Sequence, residues 1–181
     1  MELNTYPLVC TRGVVLYPNQ EIVIDVGRDT SVHAVENALD NYDKKICLFS
    51  QKELEQENPG KEDIYPVGTL CEVRHIRRFD NFLRVKFRGI KRVKLNNWIN
   101  GSLSDLAEVE ILESEKQDAV EEEALIRMIA DELDRMQGQD RFVTKEIVME
   151  ISKGMGGEFL SDKAVQGLPL DIERKQQYLK H

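Results

Sequence analysis

The spacing of apolar residues changes near Ser114, from about two on the amino-terminal side to about 3.6 beyond it. A period of two places alternate side chains on opposite faces of a strand, whereas 3.6 lines one face of a helix. The chain is therefore read as a β-rich part over residues 1–113 and a helical part over 114–181. In the first part, Leu83, Val85 and Phe87 alternate with Arg84, Lys86 and Arg88, the pattern of a sheet with one buried and one wet face. Strands are also predicted at Pro7 to Thr11, Glu21 to Val26, Ile46 to Ser50 and Leu103 to Leu112. Gly68 to Phe79 and Phe82 to Arg88 form a hairpin about Asp80-Asn81, Gly89 ends its second arm, and Ile90 to Trp98 runs back. One helix interrupts these strands, capped by Thr30 or Ser31, with Val32, Val35, Ala38 and Leu39 as its buried stripe. Gly13 and Pro18 shape the loop after the first strand, and Glu53 to Asp63, with Pro59-Gly60, is an exposed loop.

In the second part, Leu125, Met128, Ile129, Leu133 and Met136 share one face of a helix over about 117–137. A second helix is predicted from Val143 to Lys153, with Ile147, Val148 and Ile151 inward. Gly154-Met155-Gly156-Gly157 interrupts the chain, a third short helix ends near Gly167, and a fourth starts near Asp171. Asp171 to His181 carries no helix-terminating signal, which reads as a chain cut short. The expected fold is α+β: a mostly antiparallel β pseudo-barrel with one helix, followed by an α-helical subdomain.

The start, MELNTYPLVCTRG, lacks the basic and apolar regions of a secretory signal. No apolar run approaches the roughly 20 residues that a spanning helix needs. These features give the expectation of a soluble, cytoplasmic protein. Cys10, Cys47 and Cys71 are odd in number, widely spaced and set in strand-like runs, as inert core thiols are. The net charge of −8 argues against a general nucleic-acid binder.

Several residues in order resemble the amino-terminal domain of Lon proteases. Pro7-Leu8, Arg12-Gly13 and Tyr17-Pro18 are similar to the family's opening strand and loop. Asp25-Val26-Gly27-Arg28-Asp29 with Ser31-Val32 resembles its D-V-G-R-x-x-S-[VIL] run, and Val67-Gly68-Thr69 its V-G-T before a long hairpin. Val85 to Arg92, with Gly89, is similar to the hairpin end, and Leu168-Pro169-Leu170 with Lys175 and Leu179 to the helical subdomain of full-length members. Many members read P-L-x-P-L-R, where this chain has Cys10 and Thr11.

The resemblance implies a PUA-like fold in which Pro7, Arg12, Gly13, Tyr17, Pro18, Asp25, Gly27, Arg28, Gly68, Gly89 and Arg92 are mainly structural. It implies a module that binds unfolded or damaged protein substrates and helps subunits assemble into homohexamers. The family's ATPase module, with its ATP and Mg, and its serine–lysine dyad are expected outside these residues, so this stretch is expected to hold no cofactor, no metal and no catalytic group. A stand-alone LON-domain binding module is the alternative, which the Leu168-Pro169-Leu170 match disfavours. A PUA-like nucleic-acid-binding domain is the less favoured one.

The residues themselves give little sign of catalysis. Gly154, Gly156 and Gly157 are not followed by the Lys-Ser or Lys-Thr of a phosphate loop. Ser152-Lys153 and Ser161/Lys163 have spacings that do not face each other on a helix. His33 and His75 lack a metal-ligand pattern. Nine basic residues between Arg74 and Lys94 accompany the single acid Asp80. They are read as a solvated or internally paired face, with the acidic run Asp105 to Glu123 as the complementary surface. The candidate contacts for substrate are instead apolar. Phe142 and Met149 lie on the outer face of the second helix, and Met155 and Phe159 in the connection after it. Adaptable methionine and aromatic groups suit surfaces that accept varied sequences.

Overall fold

A computed structural model of the chain describes residues 4–113, 127–128, 156–167 and 169–180. Six strands form one sheet: β1 (Asn4–Thr11), β2 (Glu21–Val26), β3 (Lys45–Ser50), β4 (Val67–Arg78), β5 (Leu83–Ile99) and β6 (Leu106–Ile111). Helix α1 (Asp29–Asn41) lies between β2 and β3. Helices α2 (Gly157–Gly167) and α3 (Ile172–Leu179) follow the strands. Two compact units result: Met1–Glu113 with Asp171–His181, and Ser114–Leu170. Residues 171–181, read from the sequence as part of the helical segment, thus belong with the strands.

The strand order is β2-β5-β4-β3-β1-β6, and β6 also pairs with β5. Five strands therefore close into a ring, with β2 attached outside it along β5. Only β1 and β3 run parallel; the other pairings are antiparallel. Closure requires strands to bend, and register shifts at Leu70/Cys71, Val73/His75 and Leu95/Asn97 supply the bends.

Period two sorts the strand residues into two cores. Leu8, Cys47, Phe49, Leu70, Val93, Leu95, Ala107 and Val109, drawn from all five ring strands, form one cluster. Val9, Ile46, Leu48, Val73, Val85 and Phe87 join Ala34, Val35 and Ala38 of α1 in the other. Strand β3 is buried on both faces, which explains its unbroken apolar run.

Several local expectations are corrected. Gly89 does not end a strand, because β5 runs through it to Ile99. A Cβ at Gly89 would lie 2.2 Å from the carbonyl oxygen of Tyr17, so only glycine lets the two backbones pass this closely. The last strand starts at Leu106 rather than Leu103. Helix α1 begins after Arg28, which has no side-chain acceptor for a free N–H, and Thr30 and Ser31 sit inside its first turn. Asp29 in that turn complements the helix dipole instead. Ser31, Ala34, Val35 and Ala38 form the buried stripe, while Leu39 is exposed. Phe159 lies within α2, not in a connection. Helix α3 is capped by the Asp171 carboxylate, which accepts from the N–H of Arg174 at 2.8 Å. The helices predicted over 117–137 and 143–153 lie outside the described residues.

Helix α3 is fixed to the ring by polar bonds around a buried leucine. The Tyr17 hydroxyl donates to the carbonyl of Lys175 at 2.7 Å, and Gln176 Nε2 donates to Ser50 Oγ at 3.1 Å. Ser50 Oγ in turn donates to the carbonyl of Val14 at 2.6 Å, and Leu179 is fully covered. Tyr17 is therefore held at both ends, its carbonyl against Gly89 and its hydroxyl on α3.

Gly89→Ala is expected to destabilise the chain by about 1–3 kcal/mol, the scale of overpacking. A Cβ at Gly27 would meet nothing closer than 3.7 Å. Gly27→Ala is therefore expected to stay within about 0.5 kcal/mol of the parent. Urea unfolding of the two variants checks the contrast.

Candidate functional site

Of the four apolar residues singled out for substrate contact, Phe142, Met149 and Met155 lie outside the described residues. Phe159 is half-buried on α2, and the ammonium of Lys163 lies 5.8 Å from its ring centroid. One helical turn separates them, so the pair offers an apolar face with a cation over it.

Most of the motif residues gather into two places, while Asp25 pairs with Arg84 and Gly27 lies beside Asn81 and Phe82. The first is the Tyr17 support: Gly89 admits its carbonyl, Pro18 beside it is buried, and Thr69 Oγ1 donates to the neighbouring Leu16 carbonyl. Gly68 is held glycine by the same steric logic, since a Cβ there would lie 2.4 Å from the Leu48 carbonyl oxygen. Pro7 is buried in β1 opposite Leu106, and Arg92 on β5 faces Thr69 of β4.

The second place is the loop over 51–60. Arg28 Nη2 donates to Gln51 Oε1, and Gln51 Nε2 donates to the carbonyls of Glu53 and Gln56 at 3.2 and 2.8 Å. Arg12 Nη2 reaches the same Gln56 carbonyl at 3.4 Å. Gly13 takes φ +67°, which turns the chain just after Arg12. The buried Gln51 amide, with Arg12, thus fastens a mostly exposed loop to the start of α1. Gln51 carried no sequence signal, because it opens a polar stretch that reads as solvated.

Beside this network is a cleft of about 230 Å³. Leu8, Pro59 and Trp98 supply apolar wall, while Arg28, Glu57 and Asp105 supply charge of both signs. Partial burial, and then repulsion from Arg12, lower the pKa of the Arg28 guanidinium. Cys10 also lines the cleft, and burial, opposed by Arg28 and aided by Asp105, pushes its thiol up to about 12. It is a neutral thiol near neutral pH and a poor nucleophile. Cys47 and Cys71 are fully buried and raised in the same direction for the same reason.

Arg74, Arg78, Arg84 and Lys86 of the basic stripe are ion-paired, and their acids lie outside the predicted run. Arg84 Nε and Nη2 hold Asp25 of β2 at 2.7 and 2.8 Å, and Lys86 Nζ holds Glu21 at 2.6 Å. Arg78 meets Glu36 of α1 at 3.0 Å, and Arg74 meets Glu72 at 3.1 Å. From the run itself, Glu110 of β6 lies opposite Lys94 in the register, and residues beyond 113 lie outside the described ones. At the hairpin tip, Phe79 and Phe82 stack on each other at 4.6 Å, with the Arg77 and Arg84 guanidinium groups 5.3 and 5.4 Å from the Phe79 centroid. Each ring thus covers one face of the other. Among the described residues no helix is long and apolar enough to cross a membrane.

Comparison with known proteins adds a family. The family model described as the ATP-dependent protease La (LON) substrate-binding domain matches residues 5–181. A Lon protease of Nitratidesulfovibrio vulgaris is 32% identical over 178 residues, covering 96% of this chain and 22% of the relative. A Lon protease of Clostridium acetobutylicum is 35% identical over 175 residues, covering 94% and 21%. The chain thus spans about a fifth of the length of these relatives. In structure it is similar to the N-terminal domain of a Mycobacterium avium complex Lon protease, with a TM-score of 0.75 at 16% identity over 98% of this chain and 90% of the other. A Lon N-terminal domain protein from Xanthomonas campestris gives 0.67 at 16% identity with the same coverages.

The Arg84 hydrogen bond is the main cause holding the Asp25 carboxyl below its ordinary pKa. Because the folded value is the lower one, this pair supports the fold above the ordinary carboxylate range and loses its effect as pH falls through the folded value. Arg84→Gln is expected to move the Asp25 titration upward, read from side-chain carboxyl NMR shifts. An unmoved titration contradicts the assignment.

Proposed function

We propose a function from one premise, that this chain belongs to the ATP-dependent protease La (LON) substrate-binding domain family. The chain acts as the amino-terminal module with which a Lon-type ATP-dependent serine protease takes hold of misfolded and regulatory proteins. The match of residues 5–181 to a substrate-binding model carries this reading, and the Lon protease relatives support it. ATP, Mg and the serine–lysine dyad belong to other parts of such a protease, and the module works in the cytoplasm within a homohexamer. One module gives a weak contact, and several held together in a ring give useful affinity through effective concentration. Phe142, Met149, Met155 and Phe159 are proposed to supply part of the contact, as adaptable apolar groups do.

The test compares reduced, carboxymethylated α-lactalbumin, which cannot fold, with the native protein. The unfolded form is expected to bind the 181-residue chain with a Kd of about 1–100 μM and the native form not to bind, read by fluorescence anisotropy. Equal behaviour of both forms contradicts the function. The paired change Phe142→Ser with Met149→Ser is expected to weaken crosslinking to the unfolded protein by about threefold or more, the scale of losing buried apolar contacts. Unchanged crosslinking removes these residues from the contact.

A further inference from the structure

Among the described residues β2 pairs with β5 alone, so its other edge is open. In an antiparallel pair, successive residues direct their N–H and C=O groups to opposite edges. The N–H of Gly89 donates to the carbonyl of Gln20 at 2.9 Å. Counting along the register from that bond turns the main chain of Ile22, Ile24 and Val26 toward β5. The main-chain groups of Glu21, Val23 and Asp25 face the open edge, where no described residue bonds them.

Natural edge strands are usually guarded by proline, a bulge, a covering element or charges projecting along the edge. Glu21–Val26 contains no proline, and its register with β5 runs without a shift. It carries two acids, yet both are drawn back over the sheet. Asp25 is gripped by Arg84, and Glu21 by Lys86, and both cations stand on β5. Between the two ion pairs Val23 is 56% exposed. The edge therefore offers main-chain donors and acceptors, an apolar side chain and charges already neutralised by the neighbouring strand.

We propose that the open edge of β2 binds an extended segment of an unfolded polypeptide as an added strand, through the main chain of Glu21, Val23 and Asp25. This deepens the substrate-binding reading and rests on it. Main-chain recognition accepts many sequences, because every segment other than proline carries the same donors and acceptors. Val23 biases the choice toward segments that place a β-branched or aromatic residue beside it on the outer face. A folded protein is disfavoured, since most of its main-chain groups already have partners and its own strand edges are usually guarded.

The probe is a fluorescein-labelled Thr-Val repeat peptide, compared with a peptide of the same side chains N-methylated at every residue. The parent peptide is expected to bind, and full N-methylation to weaken binding by about tenfold or more, the scale of one or two lost main-chain hydrogen bonds. Val23→Pro removes the outward N–H where proline is tolerated, at an edge, and is expected to weaken binding by a similar factor of about ten. Val23→Thr is expected to stay within about twofold of the parent. Circular dichroism melting verifies that Val23→Pro is folded, and the N-methyl comparison decides the matter if it is not. Equal binding of the methylated peptide overturns the strand mode while leaving substrate binding intact, as does binding of carboxymethylated α-lactalbumin without the Thr-Val peptide. Failure of both probes overturns the function as well. A dimer seen by sedimentation, abolished by Val23→Pro and not displaced by peptide, assigns the edge to a second copy of this chain and overturns the proposal.

Discussion

One strand carries the pairing on which the rest depends. β5 is 17 residues long and bonds to β2 and β4 along its first half and to β4 and β6 along its second. Its meeting with β6 closes the ring, and its meeting with β2 leaves one strand outside. β2 takes no part in that closure, and among the described residues its far edge has no paired strand along its whole length. The same bends that close the ring turn its strands past one another. Glycine at 89 and at 68 is the condition for those close approaches, because a Cβ at either place would overlap a carbonyl oxygen.

Around this frame, a few polar side chains decide where the irregular segments lie. Gln51 fastens the loop over 51–60 to Arg28, and Ser50 joins the Val14 carbonyl to Gln176. Each net bond is worth about 1 kcal/mol, but breaking one leaves a buried partner unmatched at about 1–3 kcal/mol. Tyr17 ties these features together, since it touches β5 through its carbonyl and α3 through its hydroxyl. The segment 171–180 is thereby part of the ring's own unit despite its distance in sequence.

The strands were legible because their signal is local. Glu21–Val26 was read to the residue, and the alternation of Leu83, Val85 and Phe87 gave the buried face of β5. Ring closure was legible only as a class of fold, because it depends on β5 meeting β6 by long-range register. Gly89 was misread for a related reason: glycine in a strand pattern marks either an end or a close approach, and only the position of Tyr17 distinguishes them. The expected cap was misplaced because Thr30 and Ser31 have cap chemistry, whereas the helix starts at Asp29 and its N-cap position is held by Arg28, whose side chain bonds Gln51. The basic stripe was read as solvated or internally paired with the later acidic run. Its Arg74, Arg78, Arg84 and Lys86 are ion-paired, and the partners Asp25, Glu21 and Glu36 are placed by β2 and α1, which no count along the stripe reveals. The open edge had no signal in composition, since it is defined by the pairing that β2 lacks.

Amide hydrogen exchange by NMR, on the 181-residue chain with and without carboxymethylated α-lactalbumin, addresses the central claim most directly. The outward amides of Glu21, Val23 and Asp25 should exchange quickly in the free chain and slow by about tenfold or more in the complex, while those of Ile22 and Ile24 are already slow. Protection confined to other surfaces, with these three amides unchanged in a saturated complex, would contradict the claim that this chain holds unfolded proteins by their main chain.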